Sequence, residues 1–453
     1  MQDVVCEGLV SLFLRYVFAV FSLLSVVPGL MGQAPLSAQP AANPPAGPVA
    51  LTLSDALARA KANSPQFQAA LTELGLARED RLQARAGLLP GVNYTNSFLY
   101  TQGNGTASGV FIANNGVHEY ISQGIAHEAI GPAEVANYQR AAASYALVQA
   151  KHEIAVRGLV VAVVQSFYGY IAAQNRTVTA QQLLEEGQRF LTNTQKLEQG
   201  GEVAHSDVIK AQIQADDLLR ARDQASLTEQ SSKLTLAVLL FPNFFQDFTL
   251  VNDLGIQPPL PPMVNVQQLA ETNNPELKAA YAALSVANKE VSVAVAGYLP
   301  SLSVDMFYGI DANQFAVYNR NGNRNLGYAA AATLNIPVWN WGATQSKVRQ
   351  AQLQRNLAKV ELSAAQRQAI ADLQQFYSEA ETARGHLDLL HKTAELAAES
   401  LRLTTLRYQA GEATALEVVD AQNTLSAARN NLDDGETRYR VALANLQTLT
   451  GTF

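Results

Sequence analysis

The chain has 453 residues, 48% apolar and only 16% charged, with a formal net charge of −7. That length allows two or three ordinary domains with a large buried core, and the acidic balance argues against a nucleic-acid partner, which would need a basic face. The only cysteine, Cys6, leaves the rest of the chain without a thiol for catalysis, metal binding or a disulfide.

Residues from about Leu9 to Val27 are strongly apolar, end at Pro28-Gly29 and are followed by the small residues Gly32-Gln33-Ala34 and Ser37-Ala38. This predicts a secretory signal peptide over 1–38, despite Asp3 and Glu7 where Lys or Arg is usual. A single membrane anchor is the competing reading, but Arg15 leaves an uninterrupted apolar core of about 12 residues, short for a span. Cys6 precedes that core and is not placed to carry a lipid. No other segment reads as a transmembrane helix, so any membrane crossing must use strands. A Pro/Ala-rich linker, residues 39–50, comes next.

From Leu51 onward the chain repeats itself. Asn63-Ser64-Pro65 recurs as Asn273-Asn274-Pro275, Gly87-Leu88-Leu89-Pro90 as Gly297-Tyr298-Leu299-Pro300, and Gly201-Glu202 as Gly411-Glu412, always at an offset of 210 residues. A duplication explains three landmarks sharing one offset. The repeats are read as 51–241 and 263–453, joined by a linker over 242–262.

Each repeat opens with a helix. In the first, Ser54 is the expected N-cap, Leu57, Leu71, Leu74 and Ala77 give the apolar stripe, and the helix runs unbroken to Ala86. Strict alternation then begins after Pro90. Val92, Tyr94, Phe98 and Tyr100 share one face, while Asn93, Thr95, Ser97 and Thr101 share the other. The second repeat matches it with Leu302, Val304, Met306, Tyr308 and Ile310 against Ser303, Asp305 and Asp311. Strands are expected at about 91–102 and 116–126, and at about 301–312 and 326–337, the length of tilted membrane-spanning strands. The pattern in 116–126 is too weak to choose its apolar face. Trp339 and Trp341, the only tryptophans, follow the last strand. They read as an aromatic belt at a membrane interface, with a buried pair in a soluble core as the alternative.

Two Pro-free stretches, from Pro132 to about Leu197 and from Gly342 to about Tyr408, predict helices of roughly 66 residues, or about 100 Å. Each turns at a glycine and returns as a shorter helix, giving hairpins over 132–241 and 342–450 with tips near 199–206 and 409–416. The opening and returning helices, about 50 and 57 Å long, together match one long helix. Their apolar stripes are thin, as in Leu353, Leu357 and Val360 or Leu373, Phe376 and Ala380, which suits side-by-side rods better than a globular core.

Four strands with one apolar face cannot stand alone in lipid, because their open edges would leave backbone groups unpaired. Three chains would supply a closed 12-stranded barrel with an aqueous lumen, and 12 helical rods to continue its wall. The expected fold is therefore mainly α with transmembrane β: a trimeric β-barrel continued by an α-helical barrel, each protomer a tandem repeat.

This arrangement resembles the TolC-family outer-membrane efflux proteins over nearly everything after the signal and linker, in both repeats. The resemblance is carried by the Leu-Pro strand entries at Pro90 and Pro300 and by the tip segments Gly200 to Val208 and Tyr408 to Val418. It implies the exit duct of a tripartite efflux or type I secretion system in the outer membrane of a Gram-negative bacterium. It implies a homotrimer with a periplasmic extension, surrounded by outer-membrane lipid, whose tips Gly201, Glu202, Val203, Gly411 and Glu412 meet a periplasmic adaptor and an inner-membrane pump of RND or ABC type. Glu202 stands where the family usually has an apolar residue. The resemblance also implies gate residues: Asp207 bonded to Tyr408, and Glu417 with Asp420 as an acidic constriction. Ala413 replaces an Arg that strengthens the family's gate. Without the resemblance, Glu417 and Asp420 read as a solvated helix face.

No reactive constellation suggests an enzyme, a cofactor or a resident metal. His118, His127, His152, His205, His386 and His391 are scattered, and the glycine-rich run Gly103 to Gly109 lacks the Lys and following helix of a phosphate loop. A secreted or periplasmic coiled-coil scaffold is the other reading, and it leaves the alternating strands unexplained.

Overall fold

The computed structural model describes residues 49–100, 118–243 and 245–452. The expected signal peptide, nearly all of the linker at 39–50 and the glycine-rich run at 103–109 lie outside the described residues. Ala50–Phe453 forms one compact unit containing all the described helices.

The chain order is β1 (Val49–Leu51), α1 (Leu53–Asn63), α2 (Pro65–Ala86), β2 (Gly91–Tyr100), β3 (His118–Ile130), α3 (Pro132–Gln199), α4 (His205–Leu240), β4 (Phe248–Leu250), α5 (Met263–Asn273), α6 (Pro275–Ala296), β5 (Ser301–Ala312), β6 (Leu326–Asn335), α7 (Ala343–Gln409) and α8 (Ala415–Thr450). The starts of α1 and α5, of α2 and α6, and of α4 and α8 are all 210 residues apart.

The opening helix differs from its sequence reading in two ways. Its N-cap is Thr52, not Ser54: the Thr52 hydroxyl accepts from the Asp55 N–H (3.3 Å), and the Asp55 carboxylate accepts from the Thr52 N–H (3.1 Å). A Thr with an acid three residues on closes this reciprocal box, which Ser54 cannot. The helix also breaks at Ser64-Pro65, because Pro65 has no N–H and disfavours helical geometry in the residue before it. Ser64 ends α1 and caps α2, accepting from the Phe67 N–H at 3.3 Å. The second repeat does the same with Asn274, whose side chain accepts from Glu276 and Leu277 N–H at 2.8 and 3.2 Å.

The long helices α3 and α7 contain 68 and 67 residues, which is about 100 Å each. One stretch of α3 is apolar and long enough to cross a membrane by length and composition alone, contrary to the sequence reading. Its physical setting explains the composition: mid-α3 side chains Val160, Val163, Phe167, Tyr168 and Ile171 are buried, and Tyr170 packs edge-on against Phe248 of β4. There β1 and β4 form a small sheet, unforeseen because three-residue strands show no alternation.

Residues 251–262 continue from β4 and are tied to the helices. Tyr168 Oη donates to Asp253 at 3.3 Å, Arg440 pairs with the same carboxylate at 3.5 Å, and Tyr439 Oη donates to the Pro258 carbonyl at 2.5 Å. Asp433 and Glu436 of α8 are also buried. Asp433 accepts from Asn175 at 2.9 Å, and Glu436 faces His391 at 3.2 Å. Burial pushes both carboxyls above their ordinary range.

The larger sheet is antiparallel throughout, in the order β2-β3-β5-β6, with β2 and β6 at open edges. Its register sorts every side chain. Tyr94 pairs with Gly124, Gly124 with Tyr308, and Tyr308 with Tyr328, so all four lie on one face. That face also carries Val92, Phe98, Tyr120, Ala126, Ile130, Val304, Met306 and Leu334. The face of β3 that alternation alone left open is therefore fixed by its neighbours. The opposite face carries Asn93, Thr95, Ser97, Gln123, His127, Asp305 and Thr333, and His127 Nδ1 meets Asp305 Oδ1 at 2.6 Å. Only glycine fits at 309, because a Cβ there would collide with Ser122 O and Gln123 Cα.

Candidate functional site

The chemistry-bearing residues gather at the two hairpin tips. Each turn reverses through a glycine in left-handed geometry, Gly201 at φ +77° and Gly411 at φ +75°. The backbone bonds are those of a Schellman motif. Gly201 N–H donates to Glu198 O (2.8 Å) and Glu202 N–H to Leu197 O (2.9 Å); Gly411 N–H donates to Tyr408 O (3.0 Å) and Glu412 N–H to Arg407 O (2.8 Å). Val203 packs partly against the tip core, whereas Glu202 and Glu412 are exposed.

In the first tip, His205 Nδ1 and Glu198 Oε1 are 2.6 Å apart, joining the end of α3 to the start of α4. Asp207 lies in the first turn of α4, where Lys210 Nζ donates to its carboxylate at 3.3 Å.

In the second tip, Tyr408 is only 4% exposed and packs edge-on against Phe190, with ring centroids 5.0 Å apart. Its hydroxyl donates to Thr194 Oγ1 at 3.1 Å. The bond to Asp207 expected from the resemblance is therefore not made within the protomer. Tyr408 is turned into the α3–α7–α8 core beside Leu401, Ala415 and Val418, and Asp207 is engaged by its own helix neighbour.

Glu417 proves to be a capping residue. Thr414 N–H and Oγ1 donate to its Oε1 at 3.0 and 3.1 Å, while Glu417 N–H donates to Thr414 Oγ1 at 3.3 Å. Arg407 lies 3.5 Å from Oε2 and donates to the Glu412 carbonyl at 2.9 Å. The Thr414 bonds, aided by Arg407, hold the Glu417 carboxyl below the ordinary range. Asp420 lies three residues on and is exposed; its carboxylate has no hydrogen-bond partner among the described residues, although its carbonyl accepts from Thr424 at 2.8 Å.

Sequence reasoning thus missed Thr194, Arg407 and Lys210. Thr194 could not be found, because its pairing depends on the packing of two helices distant in sequence. The capping role of Glu417 was within reach: Thr414-Ala415-Leu416-Glu417 is a capping-box signature.

Trp339 and Trp341 lie between β6 and α7, 75% and 89% exposed, in an edge-on pair with centroids 5.8 Å apart. The alternative of a buried pair does not hold within the protomer. Trp341 has φ +56° and is followed by Gly342 at φ +83°, a sharp turn from strand into helix. Among the described residues, no group of three or more His, Cys, Asp or Glu could hold a metal ion.

Residues 266–452, most of the second repeat, match the family model described as outer membrane efflux protein. The chain is 24% identical to the outer membrane protein TolC of Vibrio cholerae, over 88% of this chain and 90% of that protein. It is 24% identical to the alkaline protease secretion protein AprF of Pseudomonas aeruginosa, over 89% and 85%. Among solved structures, the CmeC outer membrane channel of Campylobacter jejuni superposes with a TM-score of 0.77 at 14% identity, covering 88% of this chain and 85% of that one. The outer membrane protein VceC of Vibrio cholerae gives 0.75 at 17% identity, covering 88% and 96%. The structural likenesses speak to the fold, and the sequence matches to descent. The second repeat therefore matches the outer membrane efflux protein family, and most of the chain is similar to TolC-type outer membrane proteins of Gram-negative bacteria.

Proposed function

We propose that this chain is one protomer of a homotrimeric exit duct, passing substrate passively across the periplasm and outer membrane for a tripartite efflux or type I secretion system. The observation that carries the reading is the four-stranded sheet. One of its faces is mostly apolar, interrupted by Asn96, Ser122 and Glu128, and it has two open edges, β2 and β6. Open edges are not tolerated in lipid, so copies of the chain close the sheet, and three copies give a 12-stranded barrel. Trp339 and Trp341 then ride at the inner headgroup level, as exposed indoles do.

The helices support the same assembly. Leu353, Leu357, Val360 and Ile370 of α7 are all exposed in the single chain. Spaced along one helix, they supply an apolar seam for a neighbouring protomer's rods.

The tips are the working end. Gly201, Glu202, Val203, Gly411 and Glu412 form the surface offered to an adaptor, and an inner-membrane pump of RND or ABC type stands behind it. Asp420 is the free carboxylate of the constriction. Glu417 shapes the start of α8, while Asp207 and Tyr408 brace the two tips. Three Asp420 carboxylates around an axis would favour cations and bind divalent ions weakly.

Planar-bilayer recording of the purified trimer tests this. Discrete channels blocked by millimolar divalent cations are expected, with the block lost in Asp420→Asn and kept in Glu417→Gln. Absence of channels, or block unchanged in Asp420→Asn, would overturn the assignment.

A further inference from the structure

Residues 313–325 join β5 to β6 at the strand ends away from the helices. The link is a small hairpin held by its own bonds. Asn319 N–H donates to Asn323 O at 2.8 Å, and the Asn319 side chain accepts from Asn321 and Asn323 N–H at 3.0 and 2.8 Å. Asn325 donates its N–H to Val317 O at 2.8 Å and its Nδ2 to Ala316 O at 2.9 Å. Tyr318 and Arg324 face each other as an antiparallel bridge, so their side chains leave the hairpin on the same side.

The hairpin leans towards the apolar face of the sheet. Phe315 packs on Tyr120 (6.3 Å between centroids), Tyr120 on Phe98 (4.9 Å), and Phe98 and Tyr100 both on His118 (5.9 and 5.3 Å). Phe315, Val317 and Tyr318 remain exposed. So are Arg320 and Arg324, and neither makes an ion pair or side-chain hydrogen bond among the described residues.

Two unpaired guanidinium groups therefore stand beside an aromatic band at the outer rim. Arginine forks match phosphate oxygens in geometry and charge, and aromatic rings favour the boundary between headgroup and acyl chain. In the membrane to which this family belongs, the outer leaflet is a phosphorylated glycolipid. We propose that the hairpin 313–325 is a contact site for that glycolipid, with Arg320 and Arg324 on its phosphates and Phe315, Val317 and Tyr318 against its sugar–acyl boundary. The proposal rests on the outer-membrane reading and adds a specific lipid to it.

The test uses the full-length trimer in detergent, titrated with bis-phosphorylated lipid A and followed by native mass spectrometry. Lipid A stripped of its phosphates and phosphatidylethanolamine serve as controls. The wild type is expected to prefer the bis-phosphorylated lipid by about tenfold, as two charge-assisted contacts allow. Arg320→Gln/Arg324→Gln should lose that preference while keeping its trimer mass and single-channel conductance. Equal binding of the dephosphorylated lipid, or an unchanged preference in the double variant, overturns the proposal. Full competition by millimolar inorganic phosphate also overturns it, by pointing to a free-anion site. So does altered ion selectivity of the channel with lipid binding unchanged, which would place the arginines at the mouth of the lumen. A wild type that is not trimeric would instead contradict the duct reading itself.

Discussion

The hydroxyl of Tyr408 donates to Thr194 Oγ1 at 3.1 Å, tying the last turn of α7 to α3 rather than to Asp207. Thr194 in turn donates to the Phe190 carbonyl at 2.9 Å, so the pair forms a short buried chain of hydrogen bonds in the tip core. The two hairpins are thereby joined within one protomer by a contact that needs no charge.

Removing that hydroxyl is expected to be mild and removing the ring severe. Tyr408→Phe should cost about 1 kcal/mol, and Tyr408→Ala about 3–5 kcal/mol through the lost packing on Phe190. A double-mutant cycle with Thr194→Val, read from urea unfolding in detergent, should show coupling of about 0.5–1.5 kcal/mol. Zero coupling would mean the bond does not hold the tips together.

Glu417 provides a pH dependence of known sign. Its folded pKa is depressed, so its cap is in place above the ordinary value of 4.5 and is lost as pH falls through the folded value. Protection of the amides in residues 415–418, relative to their intrinsic exchange rates, should fall over that window in the wild type. Glu417→Gln should show no such step, and retention of the step would assign it to another group.

Asp433 and Glu436 carry the opposite sign. Burial raises both folded pKa values above 3.8 and 4.5, so the folded state holds protons that the unfolded state releases. Stability should increase as pH falls from neutral through the folded values and level off below the ordinary ones. The midpoint temperature of Glu436→Gln should vary less with pH than that of the wild type. Parallel profiles would exclude Glu436 as a source of the dependence.

Gly309 separates packing from assembly. In Gly309→Ala the added methyl meets backbone atoms of Ser122 and Gln123, which cannot yield as a side-chain tip would. The β3–β5 pairing should weaken by about 1–3 kcal/mol, lowering trimer yield in membranes while leaving helix content by circular dichroism nearly unchanged. Normal trimer yield would show that the register relaxes at no cost.

Much of this architecture is legible in the sequence because its signals are local and periodic. Alternation in 92–100 and 302–310 predicts two-faced strands, and Gly201 and Gly411 mark the turns because few other residues adopt positive φ. What escapes is non-local or very short. The face of β3 depends on its pairing with β2 and β5, and the β1–β4 sheet offers three residues per strand. Pro65 marks the break between α1 and α2, but the apolar stripe on either side of it suggests one continuous helix. At the tips, the family resemblance located Asp207, Tyr408, Glu417 and Asp420, but their partners Lys210, Thr194 and Thr414 follow from helix register and capping.

Closure of the sheet by neighbouring copies is the central claim, and inter-subunit cross-linking tests it most directly. A cysteine at Ala331 on the open edge strand β6 would be combined with single cysteines along β2 from Asn93 to Ser97, and disulfides formed in native membranes. Products that stop at three chains, with yield peaking at one β2 position, are the predicted result. Products that end at two chains or continue into open-ended ladders would contradict the account.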